Sequence, residues 1–436
     1  MAEKKVAEKI MKMSNDNGNG DSKVIVNGSL TIQPNIIHEK GFEAPETGGW
    51  GISKIKNLKN NLVIGIFQEP EANFFDDEED EDDNNSPKEE ELVYIIGSYA
   101  LRSGLKTVGL NIDGDDDKLT NPITKISTLG YAAAQAVRER VIEMEKDLDR
   151  ELELEDIPNI GDLNITVDLT TSLPARSYTV EKAELLASKF TEKEHKVKIY
   201  VPNNKFVNVN IKFRYVGVVS EGVTAAYYLA NADKSVFEEY NKEHTDNPLS
   251  CEFFRNPNNT ILHVAIGAGT TEYPMTNCYT WDDTFKKGSK HGTGHAVNDA
   301  LKVIEKIKGT ENIRNPKAIE RILKNKGVEK DGTKNAFYKE IKRAITTPLI
   351  TQSKGIMDNL MGELNRGTQI SLIVVYGGGS ILMKPVLEKQ IKNIQEEKRL
   401  KLLYIPEKYA VNLEAYGLYT LVCSPDFKGN ASIRFK

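Results

Sequence analysis

Four short stretches place carboxylates, lysines, hydroxyls and glycines at spacings that suit phosphate chemistry. Asp16–Lys23 (DNGNGDSK) holds Asp16, Gly18, Asn19, Gly20 and Lys23 within eight residues. An aspartate there can hold the waters of Mg2+, glycine amides can line phosphates, and a lysine offsets their charge. Asn-Gly alone also favours a plain hairpin turn, so this loop by itself leaves both readings open. In Leu262–Pro274 (LHVAIGAGTTEYP), an apolar run breaks into Gly267-Ala268-Gly269 followed by Thr270 and Thr271. Glycines at a strand end let backbone N–H groups approach an anion closely, and two hydroxyls add neutral donors. Gly377, Gly378 and Gly379 follow a third apolar run. A flat base or ribose can lie against such bare backbone. Glu221 opens the stretch EGVTAA, where a strand gives way to a helix. A carboxylate there can orient or deprotonate a water, although the helix dipole favours an acidic first turn without any chemistry.

Other patterns exclude chemistry. No GxxxxGK[ST] loop occurs, which excludes a P-loop nucleotidase, and the glycine triplet is not a GxGxxG fingerprint. His291 and His295 in HGTGH are four apart, yet flanking glycines and the lack of a nearby carboxylate argue against zinc. Cys251, Cys278 and Cys423 are few and widely spaced, so neither a disulfide framework nor a zinc site is expected, and a reducing cytoplasm is the natural compartment.

The elements that position these stretches follow from periodicity. A weak strand is expected over Val6–Met13, returning at Lys23–Val26, with further strands at Leu62–Phe67 and Leu92–Ile96. From Ile126 to Leu148 apolar residues recur every three or four positions, which predicts a long amphipathic helix. Strands are predicted at Ile165–Leu169, Val197–Tyr200, Phe206–Val219, Ile261–Ile266, Ile370–Tyr376 and Leu402–Ile405. Helices are predicted at Val180–Phe190, Glu221–Ala230, Gly292–Lys308, Ile381–Ile394 and Ala410–Leu421. Strand–glycine loop–strand occurs twice, at Met13–Val26 and Ile261–Met275, consistent with a duplicated α/β architecture.

At 436 residues, more than one lobe is expected. Hydrophobic content of 39% and charged content of 28% fit a soluble globular protein, with no run long enough to span a membrane and no signal-peptide core at the N-terminus. The net charge of −6 hides an asymmetry. Asp76–Glu91 holds eleven acidic residues and one lysine, and such a block is expected as a solvated loop. Leu301–Ile345 carries thirteen basic against six acidic residues, suited to solvated helix faces or to an acidic partner. An acidic and a basic block on one chain would suit head-to-tail self-association.

Taken together, Asp16–Lys23, Glu221–Ala226, Ile266–Glu272, Tyr376–Ser380 and Val411–Tyr419 resemble, in order and spacing, five motifs of the actin-like ATPase superfamily. These are its first phosphate loop, first connecting helix, second phosphate loop, adenosine loop and second connecting helix. Within it the sequence is most similar to bacterial plasmid-segregation actins of the ParM type, in particular the divergent branch on clostridial plasmids, through DNGNG, GAGTTEY and HGTGHA. The resemblance implies an α/β fold of two duplicated βββαβα lobes around a nucleotide cleft, each with an inserted subdomain. Residues 1–220 would form the first lobe, with a β-rich insertion at about 41–115. Residues 221–409 would form the second, with a helical insertion at about 291–365, and 410–436 would return to the first.

The resemblance further implies Mg2+ with ATP or GTP, nucleotide-dependent filaments, and plasmid segregation through a ParR-type adaptor bound to centromere-like DNA. Direct nucleic-acid or membrane contact is not expected. Asp16 would hold Mg2+ through water, Lys23 would contact phosphate, and Glu221 would position the attacking water. Gly267, Ala268, Gly269, Thr270 and Thr271 would bracket the outer phosphates, with Gly377, Gly378 and Gly379 behind the nucleoside. One position departs. The family's second phosphate loop has an aspartate two residues before its first glycine, and here that residue is Ala265. Slow hydrolysis and long-lived filaments are the expected consequence. A small-molecule kinase of the same superfamily is the alternative, although no substrate-binding carboxylate stands out. A chaperone-like ATPase is a third possibility, without a peptide-binding β-domain after the second connecting helix.

Overall fold

A computed structural model describes residues 10–41, 53–68, 90–110, 117–203, 205–278, 280–281, 287–311, 313, 315–329, 331–425, 427–430 and 433–434. Strand β1 (Ile10–Asn17) begins later than the Val6–Met13 expected from sequence, and residues 6–9 lie outside the described range. The polar segment Ser14–Asn17 looks like a loop in sequence but is strand, because its buried side chains find partners. Asn15 Nδ2 donates to Thr128 Oγ1 at 2.7 Å, and Ser22 Oγ donates to Asn15 Oδ1 at 2.9 Å. Satisfied polar groups of this kind can be buried without a net penalty.

β1 turns through a short hairpin into β2 (Asp21–Val26) and then β3 (Ser29–Pro34), all antiparallel. Helix α1 (Ile123–Leu148) realises the predicted periodicity, with Ile126, Leu129, Ala133, Val137, Val141 and Met144 all buried against the sheet. Gly130 lets it settle close, since a Cβ there would lie 2.8 Å from Ile96 Cδ1. Strand β4 (Leu163–Leu173) runs parallel to β1, and helix α2 (Val180–Thr191) starts at Thr179, whose side chain accepts from the Lys182 N–H. The order is therefore βββαβα. A hairpin follows, β5 (His195–Val201) with β6 (Lys205–Ser220), and β6 runs parallel to β4.

Strands Ile36–Gly41, Val63–Gln68, Glu90–Ile96 and Val108–Gly109 continue this eleven-stranded sheet beyond β5. Val63–Gln68 and Glu90–Ile96 pair directly, so the acidic run joins two neighbours. Most of it, residues 76–89, lies outside the described residues. Its last two residues, Glu90 and Glu91, belong to a strand rather than to the expected solvated loop. Glu91 is strand, ion-paired with Lys198 at 2.5 Å and hydrogen-bonded by Tyr200 Oη at 2.7 Å.

Beyond Glu221 the chain leads through a short helix, α3 (Thr224–Leu229), to a second, seven-stranded sheet. Its centre is β7 (Thr260–Ile266), which pairs antiparallel with β8 (Thr271–Glu272); β8 in turn pairs with β9 (Gly288–Ser289). Helices α4 (Thr293–Ile304), α5 (Pro316–Lys324) and α6 (Tyr338–Leu364) occupy the polar, helix-rich region. Strand β10 (Leu372–Tyr376) is buried at every residue and lies parallel to β7. Helix α7 (Gly378–Lys398) leads to β11 (Lys401–Tyr404), parallel to β10. Helix α8 (Leu413–Cys423) then returns to pack on α3, β1 and β4. Each sheet has its own apolar core, one around Met13, Leu129 and Phe213, the other around Val264, Ile356 and Val375.

Candidate functional site

The two glycine hairpins, from different sheets, line one open cleft. Of the sequence-derived residues, Asp16, Gly18, Asn19, Gly20, Lys23, Glu221, Ala265, Gly267, Ala268, Gly269, Thr270, Gly377, Gly378 and Gly379 all line it. Thr271 does not. It alternates with Glu272 on β8, so the two side chains leave opposite faces. Its hydroxyl is fully buried and donates to the His291 carbonyl at 2.6 Å, a role in bracing rather than in the cleft.

In the first hairpin, Asp16 and Lys23 face each other across β1 and β2 and form an ion pair at 2.7 Å. Burial alone would raise the Asp16 pKa and lower that of Lys23. Their mutual attraction, with Lys118 nearby, overrides this, so Asp16 is held below and Lys23 above the ordinary value. The Gly18 N–H bonds back to the Asp16 and Asp21 carbonyls at 3.1 and 3.0 Å. A Cβ on Gly18 would lie 2.9 Å from the Asp21 carbonyl oxygen, which accounts for the glycine.

In the second hairpin, Gly267 N–H donates to the Thr270 carbonyl at 2.8 Å, closing the turn. The HGTGH stretch supports it from behind. Cβ atoms on Gly292 and Gly294 would come within 2.3 and 2.8 Å of the Ala268 carbonyl oxygen, so only glycines let α4 dock there. His295 Nε2 lies 3.1 Å from the Gly269 carbonyl, and His291 Nδ1 lies 3.2 Å from Gln352 Oε1. The histidines thus brace the loop.

The glycine triplet differs from the free loop that sequence implied. Gly377 takes a left-handed φ of 95°, and α7 starts at once with Gly378 and Gly379. A Cβ on Gly377 would stand 2.3 Å from the Ile266 carbonyl, while one on Gly378 would meet nothing within 4 Å. The triplet therefore locks β10 onto the second hairpin and leaves bare backbone at Gly378, at the positive end of a helix dipole.

Glu221 likewise precedes its helix rather than starting it. Residues 221–223 form a turn with Gly222 at φ 83°, and α3 begins at Thr224. A Cβ on Gly222 would collide with Pro274, which seats this turn against the second hairpin. Lys118, itself buried, donates to the Glu221 carboxylate.

Among the charged groups that the sequence reading passed over are Lys118, Arg176 and Glu414, which only tertiary structure brings here, and Glu272, which lies within the second phosphate-loop stretch. Burial, together with the charges of Asp16 and Glu221, pushes Glu414 up to about 7, even though Thr224 and Tyr376 hydroxyls donate to it. Burial and then Glu221 push Glu272 up to about 8. A further link crosses the cleft. Lys317 of α5 pairs with Asp21 of β2 at 2.8 Å, tying one basic helix to the first hairpin.

The donor set fits a polyphosphate with a hydrated divalent cation. Lys23, Lys118 and hairpin amides supply positive charge, and Asp16, Glu221 and Glu272 supply carboxylates. Among the described residues no three acidic or histidine groups cluster tightly enough to ligate a metal directly. Carboxylates beside phosphate-binding amides and lysines would hold a hydrated cation through water and phosphate oxygens, as Mg2+ prefers.

Two βββ hairpin sheets facing one cleft, joined by crossing helices α3 and α8, define the actin-like ATPase fold. Solved structures agree over nearly the whole chain. The actin-like protein Alp7A is similar with a TM-score of 0.63 and 16% identity, covering 97% of this chain and 98% of that one. A non-polymerisable quadruple mutant of pCBH ParM gives 0.56 at 17% identity, covering 94% and 98%. Bacillus thuringiensis ParM with ATP gives 0.52 at 12% identity, covering 95% and 98%. No protein-family model and no curated protein matches the sequence. At these identities the likeness is one of fold.

Proposed function

We propose that this chain binds Mg2+ with ATP or GTP between its two glycine hairpins, polymerises in the nucleotide-bound form, and segregates plasmid DNA through a ParR-type adaptor. The observation that carries the reading is the meeting of Asp16–Lys23, Glu221 and Gly267–Thr270 in a single cleft of an actin-like fold. A solved relative of that fold holds ATP. On this reading 1–220 and 221–409 are the two lobes, and 410–436 returns to the first. Bound Mg2+ would offset phosphate charge.

The chain's own residues do the rest. Hairpin amides and Lys23 bind the phosphates, Gly378 backs the nucleoside, and Glu221, held by Lys118, orients the attacking water. Ala265 leaves β7 without a carboxylate toward that water. Losing one well-placed electrostatic group costs about 10²–10³ in rate, so hydrolysis is slow and filaments persist. Pelleting with Mg-nucleotide sets equal filament mass, after which Ala265→Asp should release phosphate about a hundredfold faster, the lower end of that range. Equal rates contradict the slow-hydrolysis reading. Absence of a pellet, with phosphate passing instead to a small acceptor, contradicts the filament and supports a kinase.

A further inference from the structure

Glu272 is the one cleft carboxylate whose position the scaffold does not explain. It is 2% exposed, and neither oxygen accepts a hydrogen bond of good geometry, although Thr270 lies close enough to lower its pKa slightly. A buried carboxylate without partners is costly in a folded protein, and its retention calls for a ligand. Its location is specific. In the β7–β8 ladder Glu272 stands directly opposite Ala265, so both side chains leave the same face of the sheet, and both line the cleft. On its other side Glu272 pairs with Gly288, where a Cβ would come within 2.2 Å of Glu272 Oε2. The small side chain at Ala265 and the lack of one at Gly288 leave room for this one.

We propose that Glu272 supplies, from the return strand of the same hairpin, the carboxylate toward a hydrated divalent cation that Ala265 lacks. The inference rests on the nucleotide-site reading and concerns cation-dependent binding, not turnover. Asp16 is ion-paired with Lys23 and Glu221 with Lys118, whereas the Glu272 carboxyl oxygens accept no hydrogen bond of good geometry and have only the attraction of Arg176 and Lys118, so a bound cation would favour their ionised form.

The test is Mg2+ linkage. Affinity for a fluorescent ATP analogue is measured with and without Mg2+ for the unmodified protein, Glu272→Gln, and Glu272→Gln combined with Ala265→Asp. Glu272→Gln is expected to lose about 10–100-fold of the Mg2+-dependent gain, the usual effect of removing a group in a cation's outer shell. Its Mg2+-free affinity stays equal or tightens, and the double variant recovers the gain. The melting temperature of Glu272→Gln without nucleotide should not fall, because the carboxylate supports no fold contact. An unchanged Mg2+ gain in Glu272→Gln, or a lowered melting temperature with the gain intact, overturns the inference alone. Failure of the unmodified protein to bind nucleotide at all overturns the site reading as well.

Discussion

Glu414 and Glu272 give the nucleotide-free cleft a pH signature. Both ionise in the folded protein well above the ordinary carboxylate value of 4.5, at about 7 and about 8, with burial as the main cause. Between those limits the folded chain holds protons that the unfolded chain has lost, so stability falls as pH rises. Their contribution is fully present below pH 4.5 and is lost as pH passes through about 7 and about 8. Melting curves of the nucleotide-free protein should therefore slope downward from pH 5 to 8, and Glu414→Gln should flatten that slope. An identical slope in the variant would show that the carboxylate is charged throughout. Sequence exposed Asp16, Glu221 and the glycines because local spacing carries them. It was silent on Glu414 and Lys118, whose partners lie 190 and 103 residues away. Glu272 sat inside a recognised motif, and strand alternation was the available signal that it, not Thr271, faces the cleft.

The predicted elements largely exist, with their ends displaced where polar or glycine residues mislead. β1 extends through Ser14–Asn17 because neighbours satisfy its side chains, and α7 begins inside the glycine triplet because Gly377 turns the chain there. The crossing of α3 and α8 shows how closely elements meet. Gly417 of α8 crosses α3 so tightly that a Cβ would lie 2.0 Å from the Thr224 carbonyl oxygen, a backbone atom that cannot swing aside. Gly417→Ala should destabilise the fold by about 1–3 kcal/mol or more, the usual penalty of overpacking, measured as a lower midpoint in urea unfolding. An unchanged midpoint would mean that the helices separate freely. Neither the crossing nor its tightness was legible in the sequence, where Ala415-Tyr416-Gly417 is only a small-residue stretch.

For the whole molecule, the recurring hairpin pattern at Met13–Val26 and Ile261–Met275 suggested a duplicated α/β architecture, whereas the cleft was implied only by the resemblance of the five motifs to the actin-like superfamily. Neither revealed the link across the cleft. Lys317 belongs to the basic stretch that composition assigns to solvent or to a partner, and it instead reaches Asp21 on the opposite sheet. If the cleft couples nucleotide to polymerisation, light scattering on adding Mg-ATP or Mg-GTP should rise in a salt-sensitive way for the unmodified chain and not for Asp16→Ala. A flat trace with both nucleotides, or equal rises in the two proteins, would refute that coupling.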